Sequence, residues 1–407
     1  MIINDKRALA YTVQIDDIEP IAGADNIEMA TVGGWKVIVK KGEFVPKEIA
    51  VFFEIDSKLP EEERYAFMAR KHYAVKSMKL NKFGVISQGL LMPLSEFPEL
   101  GTFKKPDVGV IDNNIDLTDI LHITYNIPED NKRKSSPNKD AKYQSMAARH
   151  QKIFRQKWAR WLMRRNWGRK LMFFFFGRKK DNPKYFPKEF EFVHPTDEER
   201  VENIPYILND EEPWVKTLKI DGTSTTFILF RKKHKKLWDK EPYEFIVCSR
   251  NIRQFSPDQE CFHESNVYWE MAEKYNVKKV LTELLDSHHE WNYVALQGET
   301  AGEGVQGNPH KLADRNFYGF NFITSDKGRW NSAQSRDIFA TYNIPWVPIV
   351  DENYYLPKDM EEFKLSADGP CELEGASGLR EGYVYRSQDG KRSFKNVSRT
   401  YLLNKGE

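Results

Sequence analysis

Cysteine is scarce in this 407-residue chain, and long apolar runs are missing from it. The three cysteines, Cys248, Cys261 and Cys371, lie far apart and form no Cys-x-x-Cys pair, which argues against a disulfide scaffold and a zinc site. The most apolar run, 171–176, is far shorter than the ~18 residues that a membrane span requires. No apolar segment follows the first residues, so we expect no secretory signal. The sequence therefore predicts that the protein has no membrane partner and lies in a reducing compartment. We expect the cytoplasm, and the nucleus or the cytosol of a host cell is the alternative.

Acidic residues are almost absent from one segment. Residues 131–180 contain seventeen Lys and Arg against the single Asp140, so the segment carries +16 while the whole chain carries +2 and the remainder −14. A block of this kind is usually a solvated arm or a contact for a polyanion. Within it the periodicity predicts a basic helix over about 145–170. Its aromatic and aliphatic face consists of Phe154, Trp158, Trp161 and Leu162, and its other faces carry Arg155, Arg160, Arg164 and Arg165.

Two compatible interpretations of this helix stay open. In the first, its aromatic residues pack on a neighbouring domain and its arginines are solvated. In the second, the four arginines track the phosphates of a nucleic acid while the tryptophans stack on bases. A helix that lies on a membrane surface is a third alternative.

The fold is predicted to be α+β. The composition, 40% hydrophobic and 13% aromatic, suffices for packed cores, and the length suggests two or three domains. Short strands punctuated by glycine and proline fill residues 8–125, which predicts a five-stranded barrel of the oligonucleotide-binding (OB) type. From Tyr185 onward the sequence predicts strands that alternate with helices. The first predicted helix has Thr196 or Asp197 as its N-cap and ends at Pro205. We expect an OB domain at 1–128, a basic helical linker at 129–182 and a mixed domain at 183–407.

One lysine of the mixed domain lies inside an apolar strand pattern. The segment Lys219-Ile220-Asp221-Gly222 is flanked by apolar and β-branched residues on both sides. Partial burial lowers the pKa of an amine, which a nucleophilic lysine requires. By itself this short pattern is better explained by a lysine at a strand edge followed by a turn.

Five further clusters follow Lys219 in order. They are Ser249-Arg250-Asn251, Gly298-Glu299, Phe317 to Phe322, Glu381-Gly382-Tyr-Val and Ser393-Phe394-Lys395. Taken singly, each has an ordinary explanation as a turn, a core segment or a surface ion pair. In this order they resemble motifs Ia, III, IIIa, IV and V of the covalent nucleotidyltransferase superfamily of ATP-dependent ligases and capping enzymes, with Lys219-Ile-Asp-Gly as motif I.

Within that superfamily the chain is similar to the RNA ligase branch of Naegleria type, which has an N-terminal OB domain. The similarity extends to the amino-terminal segments 21–28, Gly34-Trp35, Glu54-Ile-Asp56-Ser and Ser87-Gln-Gly-Leu-Leu. Capping enzymes and most DNA ligases place their OB domain after motif V, where only Arg399 to Glu407 follow here. The resemblance implies antiparallel sheets of ATP-grasp-like type with flanking helices in the mixed domain.

The resemblance also implies an ATP-dependent RNA ligase that acts in RNA repair. Lys219 would attack the α-phosphorus of ATP and form lysyl-AMP, with Mg²⁺ or Mn²⁺ as the metal cofactor. The AMP would pass to an RNA 5′-phosphate, and a 3′-hydroxyl would then displace it. A ligase of the same superfamily that prefers DNA nicks, and an inactive RNA-binding protein with the same fold, are the alternatives.

The implied roles follow the chemistry of each side chain. Lys395 would bind the α-phosphate, Arg250 a phosphate or ribose, and Phe320 would stack on adenine. Glu299 and Glu381 suit water-mediated contacts to a metal that keeps its hydration shell. Asp221 is a further candidate for this metal, and Asp56, together with Glu54, for a second one. The implied nucleotide site consists of Leu218, Asp221, Gly222, Arg250, Asn251, Glu299, Phe320, Glu381 and Lys395.

Motif V departs from the pattern of related ligases. Those enzymes often carry two lysines as Lys-x-Lys, whereas the positions at that spacing from Lys395 are Ser393 and Val397. Lys391 and Arg392 are the candidates for the second cation.

Overall fold

The computed structural model describes residues 1–3, 6–103, 112–125, 156–163, 165, 167–168, 170–172, 185–232, 241–259, 263 and 265–405. The chain forms two compact units. One consists of Met1–Asn126 together with Tyr185–Glu407, and the other of Ile127–Lys184.

The amino-terminal part of the first unit is built from short strands. They are β1 (Ile2–Ile3), β2 (Lys6–Arg7), β3 (Ala10–Gln14), β4 (Asp17–Pro20), β5 (Ile27–Val32), β6 (Trp35–Lys40), β7 (Ile49–Phe53), β8 (Ser57–Lys58), β9 (Met78–Leu80), β10 (Val85–Ser87), β11 (Leu90–Pro93) and β12 (Thr124–Tyr125). Two three-stranded antiparallel sheets, β11-β7-β3 and β4-β5-β6, form the frame. In β6 every second residue from Trp35 is buried, the period expected of a strand with one face on a core. Short 3₁₀ helices lie at Glu63–Lys71, Leu94–Glu96 and Pro98–Phe103.

Gly89 interrupts the β-rich segment 84–92. The structure has two strands there, β10 and β11, which pair with different partners. Gly89 has a φ of +95°, and a Cβ atom on it would lie 2.4 Å from the ring of Phe52. The backbone must therefore turn at this glycine to let the chain pack directly against the core aromatic ring.

In the second unit the described residues include the helix α1 (Lys157–Met163), which lies within the predicted basic helix. Trp161 and Trp167 are 51% and 55% exposed, and their rings meet edge to face with centroids 6.2 Å apart. The guanidinium carbon of Arg165 lies 3.7 Å from the centre of the Trp161 ring. Arg155, Arg164 and the side chain of Arg160 lie outside the described residues. Among the described helices, none has the length and hydropathy of a membrane span.

The carboxy-terminal part of the first unit contains two large sheets. Their strands are β13 (Glu199–Arg200), β14 (Trp214–Lys219), β15 (Thr223–Arg231), β16 (Tyr243–Cys248), β17 (Arg253–Gln254), β18 (Tyr293–Ala301), β19 (Asn316–Thr324), β20 (Gly328–Arg329), β21 (Ile349–Tyr354), β22 (Gly382–Ser387) and β23 (Ser393–Val397). The five-stranded sheet has the order β13-β23-β22-β14-β21, and the six-stranded sheet the order β17-β16-β15-β18-β19-β20. Pairing is antiparallel except between β13 and β23. The helices are α2 (Val267–Lys274), α3 (Val277–Ser287), α4 (Ser332–Thr341), α5 (Met360–Leu365) and α6 (Arg399–Lys405).

The six-stranded sheet is buried on both faces. In β15, Phe227 and Leu229 pack into the core under α2 and α3, while Ile228 points to the opposite face and contacts a second core that includes Phe190 and Val193. This explains the uninterrupted apolar run at 227–230, because a strand covered on both sides needs no polar face. The sheet is therefore a rigid platform for the residues at its ends.

The predicted helix after Thr196 is wrong. The chain there forms β13, which pairs in parallel with β23 through Glu199↔Phe394 and Arg200↔Lys395, followed by 3₁₀ turns at Val201–Asn203 and Pro205–Asn209. The capping residues and the acidic first turn are local signals, and the long-range strand pairing overrides them.

A buried lysine joins the amino-terminal and carboxy-terminal parts of the first unit. Lys364 of α5 is fully buried and donates hydrogen bonds to the carbonyl of Gly34 (3.2 Å) and to Oε1 of Gln88 (3.0 Å). Its Nζ also lies 3.3 Å from Oε1 of the buried Glu202. The amide of Gly34 donates to the carbonyl of Glu202 at 2.7 Å, and a Cβ on Gly34 would lie 2.6 Å from the Glu202 Cα. The two parts are thus in backbone contact.

Candidate active site

Strand pairing collects the motif residues at one place. In the five-stranded sheet Lys219 of β14 pairs with Gly382 of β22, and Val384 of β22 pairs with Lys395 of β23. In the six-stranded sheet Glu299 of β18 pairs with Ser224 of β15. The loop between β14 and β15 joins the two sheets, so the end of β14 lies where both contribute side chains.

Lys219 is held by a carboxylate. Its Nζ donates to Oε1 of Glu381 at 2.6 Å. Burial alone lowers the pKa of Lys219, but Glu381, Glu299 and Asp221 more than offset this effect, and the pKa is raised above its usual value. The sequence-based expectation of a depressed lysine pKa is therefore wrong for this arrangement, because the neighbouring negative charge outweighs desolvation.

The carboxylates around Lys219 have too little positive charge near them to balance their own negative charge. Burial raises the pKa of Glu299 to about 8; Lys219 opposes this shift, whereas Glu381 and Asp221 add to it. Oε2 of Glu381 is buried and accepts no hydrogen bond from any residue that the structure describes. An added divalent cation would relieve both conditions, so these side chains fit a metal ion.

The metal would be bound through water. Among the described residues, no three His, Cys, Asp or Glu side chains are close enough together to ligate an ion directly. Such an arrangement suits Mg²⁺ or Mn²⁺ with most of its hydration shell retained. Glu299 and Glu381 as water-mediated ligands stay a prediction.

Asp221 has other partners already. Its Oδ2 accepts from the hydroxyl of Tyr401 at 2.5 Å and from Nζ of Lys405 at 2.7 Å. Burial raises its pKa, but Lys405, Tyr401 and Lys219 together bring it below its usual value. This geometry favours a role in orienting the motif I loop, and the metal-ligand role of Asp221 stays a prediction.

His310 supports the same loop and was missed by the sequence reasoning. Its Nε2 accepts the backbone N–H of Asp221 at 2.8 Å, and its Nδ1 lies 3.4 Å from Sγ of Cys371. Because Nε2 is the acceptor, a neutral imidazole must carry its proton on Nδ1. The ring is 1% exposed, and burial lowers its pKa. A glycine-rich loop with one histidine was the only signal in the sequence, and it is a weak one.

Lys395 and Arg250 share one carboxylate, that of Asp197, and the sequence did not predict this contact. Oδ1 of Asp197 accepts from Nζ of Lys395 at 3.1 Å, and Oδ2 accepts from Nη2 of Arg250 at 2.8 Å. Burial lowers the pKa of Lys395 to about 8 against the opposing effect of Asp197. Burial raises the pKa of Asp197, but Lys395 and Arg250 bring it well below its usual range. The two predicted phosphate-binding residues thus meet in one place.

The predicted base-stacking residue lies beside a buried cation. Phe320 is half-buried, and the guanidinium carbon of Arg386 lies 5.5 Å from the centre of its ring. Arg386 is bound in turn to Glu198 at 3.3 Å. The role of Phe320 in adenine stacking stays a prediction.

Three other predicted nucleotide-site residues have structural contacts in this protein. The side chain of Leu218 is buried in the hydrophobic core, and the backbone carbonyl of Asn251 accepts the N–H of Phe186 at 2.7 Å. A Cβ on Gly222 would lie 2.3 Å from the carbonyl oxygen of Thr300. Close packing of the loop against β18 is thus a sufficient reason for glycine at position 222.

Asp56 lies between two arginines. Its Oδ2 is 3.4 Å from a guanidinium nitrogen of both Arg7 and Arg200. Its φ of +74° is an uncommon left-handed conformation, which these ion pairs help to hold. Glu54, beside it, accepts from Tyr11 at 3.0 Å and from Asn203 at 2.9 Å. The surroundings favour anchoring of Arg200 by Asp56, and its role at a second metal stays a prediction.

Comparisons with known proteins show which family and fold the chain resembles. A family model described as RNA ligase matches residues 212–398, and a model described as an OB-fold domain matches residues 9–94. No curated protein sequence matches the chain.

Solved structures of a Naegleria gruberi RNA ligase are similar over nearly the full chain. A mutant with AMP and Mn has a TM-score of 0.69 and 29% identity, covering 98% of this chain and 99% of that one. The enzyme with PPi has a TM-score of 0.69 and 29% identity, with coverage of 99% and 100%. Another mutant, with ATP and Mn, has a TM-score of 0.70 and 28% identity, with coverage of 98% and 99%. These findings confirm the predicted resemblance and the α+β fold with an N-terminal OB-fold domain.

Proposed function

We propose that this chain, which is an RNA ligase by family match and by fold, joins RNA ends through a lysyl-AMP intermediate on Lys219. The observation that carries the proposal is the position of Lys219 at the end of β14, 2.6 Å from Glu381. The cations Lys395 and Arg250, which are suited to phosphate, share one carboxylate partner nearby. The similar Naegleria enzyme was solved with ATP and Mn, which supports ATP and Mn²⁺ or Mg²⁺ as cofactors.

The first step forms a bond between Nζ of Lys219 and the α-phosphorus of ATP, while the bond to the bridging oxygen breaks and pyrophosphate leaves with the electron pair. Lys219 must lose a proton for this attack, and Glu381, hydrogen-bonded to Nζ, is placed to accept it. A divalent cation would supply positive charge that weakens the hold of the carboxylates on the ammonium group and offsets charge on the phosphates.

The later steps use the same cations. An oxygen of the RNA 5′-phosphate attacks the α-phosphorus of lysyl-AMP, the P–N bond breaks, and Lys219 leaves as the amine after its nitrogen regains the proton held by Glu381. The 3′-hydroxyl of the second strand end then attacks the activated 5′-phosphate and gives its proton to solvent water, and AMP leaves with the electron pair of the broken P–O bond. Lys395 and Arg250 are placed to bind the phosphate oxygens on which negative charge accumulates.

The RNA contact is assigned to the second unit as part of the proposal. Its net charge of +16 over 131–180 suits the phosphate backbone, and the exposed rings of Trp161 and Trp167 suit stacking on unpaired bases. Arg155, Arg160, Arg164 and Arg165 are the proposed phosphate contacts.

Formation of the covalent intermediate tests the proposal. The wild-type chain, incubated with α-labelled ATP and Mn²⁺, should acquire an acid-labile AMP adduct, and Lys219→Ala should not. Lys279→Ala, which removes an exposed lysine of α3, is the matched control and should label like the wild type. An undiminished yield of adduct in Lys219→Ala would rule out this nucleophile.

Substrate class is tested with matched nicks. The enzyme should seal a 3′-hydroxyl to a 5′-phosphate in RNA faster than in a DNA nick of the same sequence. Faster sealing of the DNA nick would assign the chain to the alternative function.

A further inference from the structure

One carboxylate holds both predicted phosphate-binding cations. The two oxygens of Asp197 are divided between them, Oδ1 with Lys395 at 3.1 Å and Oδ2 with Arg250 at 2.8 Å. The side chain of Lys395 is 11% exposed and that of Arg250 is 45% exposed, so the pair lies at the boundary of the site and solvent. A phosphate group also carries two oxygens on one central atom, so it would contact Lys395 and Arg250 in the same way.

We infer that Asp197 is a resident counter-anion, which keeps Lys395 and Arg250 in a phosphate-binding arrangement and gives up its place to a substrate phosphate. The inference rests on the proposed function, because it takes these two cations as the phosphate-binding groups. In this inference Asp197 is a positioning residue that competes with the substrate phosphate for Lys395 and Arg250.

The charges around Lys395 explain why an anion is needed there. Arg7, Arg200 and Lys219 all face Lys395 and lower its pKa, as burial does, and Asp197 opposes them. A buried cation among other cations is costly unless an anion accompanies it. Exchange of Asp197 for a phosphate keeps an anion at this position throughout, so neither state leaves the lysine uncompensated.

The backbone around Asp197 allows the exchange. Val193 is buried in the core and Glu199 begins β13, but residues 193–198 between these anchors have no regular secondary structure. The Asp197 side chain can therefore rotate away from the cations without breaking strand pairing. Arg250, nearly half exposed, is free to follow an incoming phosphate.

The test is a binding measurement on the full chain with Asp197→Asn, which keeps the shape of the side chain and removes its charge. Glu352→Gln is the matched control, because Glu352 forms a comparable ion pair with Arg336 at 2.6 Å on the surface, away from the motif residues. At about pH 6.5, below the usual pKa of a lysine, the dissociation constants of ATP, pyrophosphate, and RNA with a 5′-phosphate or a 5′-hydroxyl are measured for both variants and the wild type.

Asp197→Asn should bind phosphate ligands more tightly by about fivefold, the size expected for removal of a partly exposed competing ion pair. Glu352→Gln should bind like the wild type. A gain for ATP and pyrophosphate identifies the nucleotide phosphate as the exchanging group, and a gain confined to the 5′-phosphorylated RNA identifies the RNA end. Both outcomes support the inference.

Unchanged or weaker binding of all phosphate ligands by a folded Asp197→Asn would overturn it. If that variant melts below the assay temperature, Asp197→Ser provides the same comparison with a smaller polar side chain. Failure of the wild type to form an AMP adduct would contradict the proposed function alone, since pyrophosphate binding is measured without any catalytic step.

Discussion

Lys219 and Glu381 are separated by 162 residues and form an ion pair of 2.6 Å between adjacent strands. The raised pKa of Lys219 depends on this contact, because burial acts in the opposite direction. In the proposed function, the ammonium form of Lys219 is protected from unwanted acylation until substrate and metal change the charge balance. The protonated lysine would then be a resting state.

Glu381→Gln should lower the pKa of Lys219. The amide keeps the shape of the carboxylate but removes the strongest effect that raises this pKa, while burial remains. The pH midpoint for labelling of Lys219 by an amine-specific acylating reagent, followed by peptide mass spectrometry, should move to lower pH. Glu303→Gln, which removes an exposed carboxylate, should leave the midpoint in place. An unchanged or higher midpoint in Glu381→Gln would show that another group controls the lysine.

Glu299→Gln should stabilise the protein at alkaline pH. A carboxyl group whose pKa is raised to about 8 binds its proton more tightly in the folded chain than in the unfolded chain. The free energy of unfolding of the wild type should therefore fall as pH rises from the usual glutamate pKa to about 8, and the amide abolishes this contribution. In urea unfolding, the free energy of unfolding of the variant should exceed that of the wild type by roughly 1–2 kcal/mol near pH 8, after allowance for partial exposure. Near pH 5 the two free energies should differ little. Equal gains at both pH values would contradict the prediction.

His310→Ala should slow formation of lysyl-AMP by about tenfold, because the buried N–H of Asp221 loses its acceptor, at a cost of about 1–3 kcal/mol. His310→Gln supplies an oxygen that can accept the same N–H and should recover most of the rate. The measurement is single-turnover adenylylation at saturating ATP, so that binding and rate are separated. Cys371→Ala tests the other ring contact and should have a smaller effect. Equal losses in the Ala and Gln variants would mean that the ring is needed only for packing.

Lys364→Met should destabilise the first unit by about 3–5 kcal/mol, since it leaves Glu202 as a buried charge without its lysine partner. The double variant Lys364→Met/Glu202→Gln removes both charges and should recover part of the loss. Thermal unfolding measures all three proteins, and Lys358→Met, at an exposed position just before α5, is the control. A single variant as stable as the wild type would show that the lysine does not hold the two parts together.

Trp161→Ala and Trp167→Ala should each weaken binding of single-stranded RNA, by about 1–3 kcal/mol per stacked base. The intrinsic fluorescence of the remaining tryptophans should respond less to RNA. Arg165→Gln, in contrast, should reduce the slope of affinity against salt concentration. Tyr185→Ala, which removes an aromatic ring 78% exposed in the first unit, is the control. Unchanged affinity in both tryptophan variants would leave the exposed rings without a role in RNA binding.

The sequence was sufficient for features that depend on local pattern. Glycine and proline punctuation predicted the short strands over 8–125, and the order of six short motifs predicted the ligase fold, which the comparisons confirm. The roles of Phe320 and the acidic residues in nucleotide and metal binding remain predictions.

Features that depend on residues far apart in the chain could not be predicted from local sequence pattern. Asp197 was interpreted as a helix cap, because the cations that bind it lie 53 and 198 residues further along the chain. The pKa of Lys219 was predicted in the wrong direction for the same reason, since two of its carboxylate neighbours, Glu381 and Glu299, lie far from it in the sequence. Lys364 carries no local signal and His310 only a weak one, and the importance of both follows from nearly complete burial beside polar partners.

The strand order β13-β23-β22-β14-β21 has a consequence for the way in which the enzyme is made on the ribosome. An elongating chain contains Lys219 long before Glu381 and Lys395 have been synthesised, and β14 lacks its neighbour β22 during that interval. Contacts between residues so far apart in sequence form late and slowly. If Lys219 is the nucleophile, as proposed, it becomes competent only when the last strands of the sheet are in place.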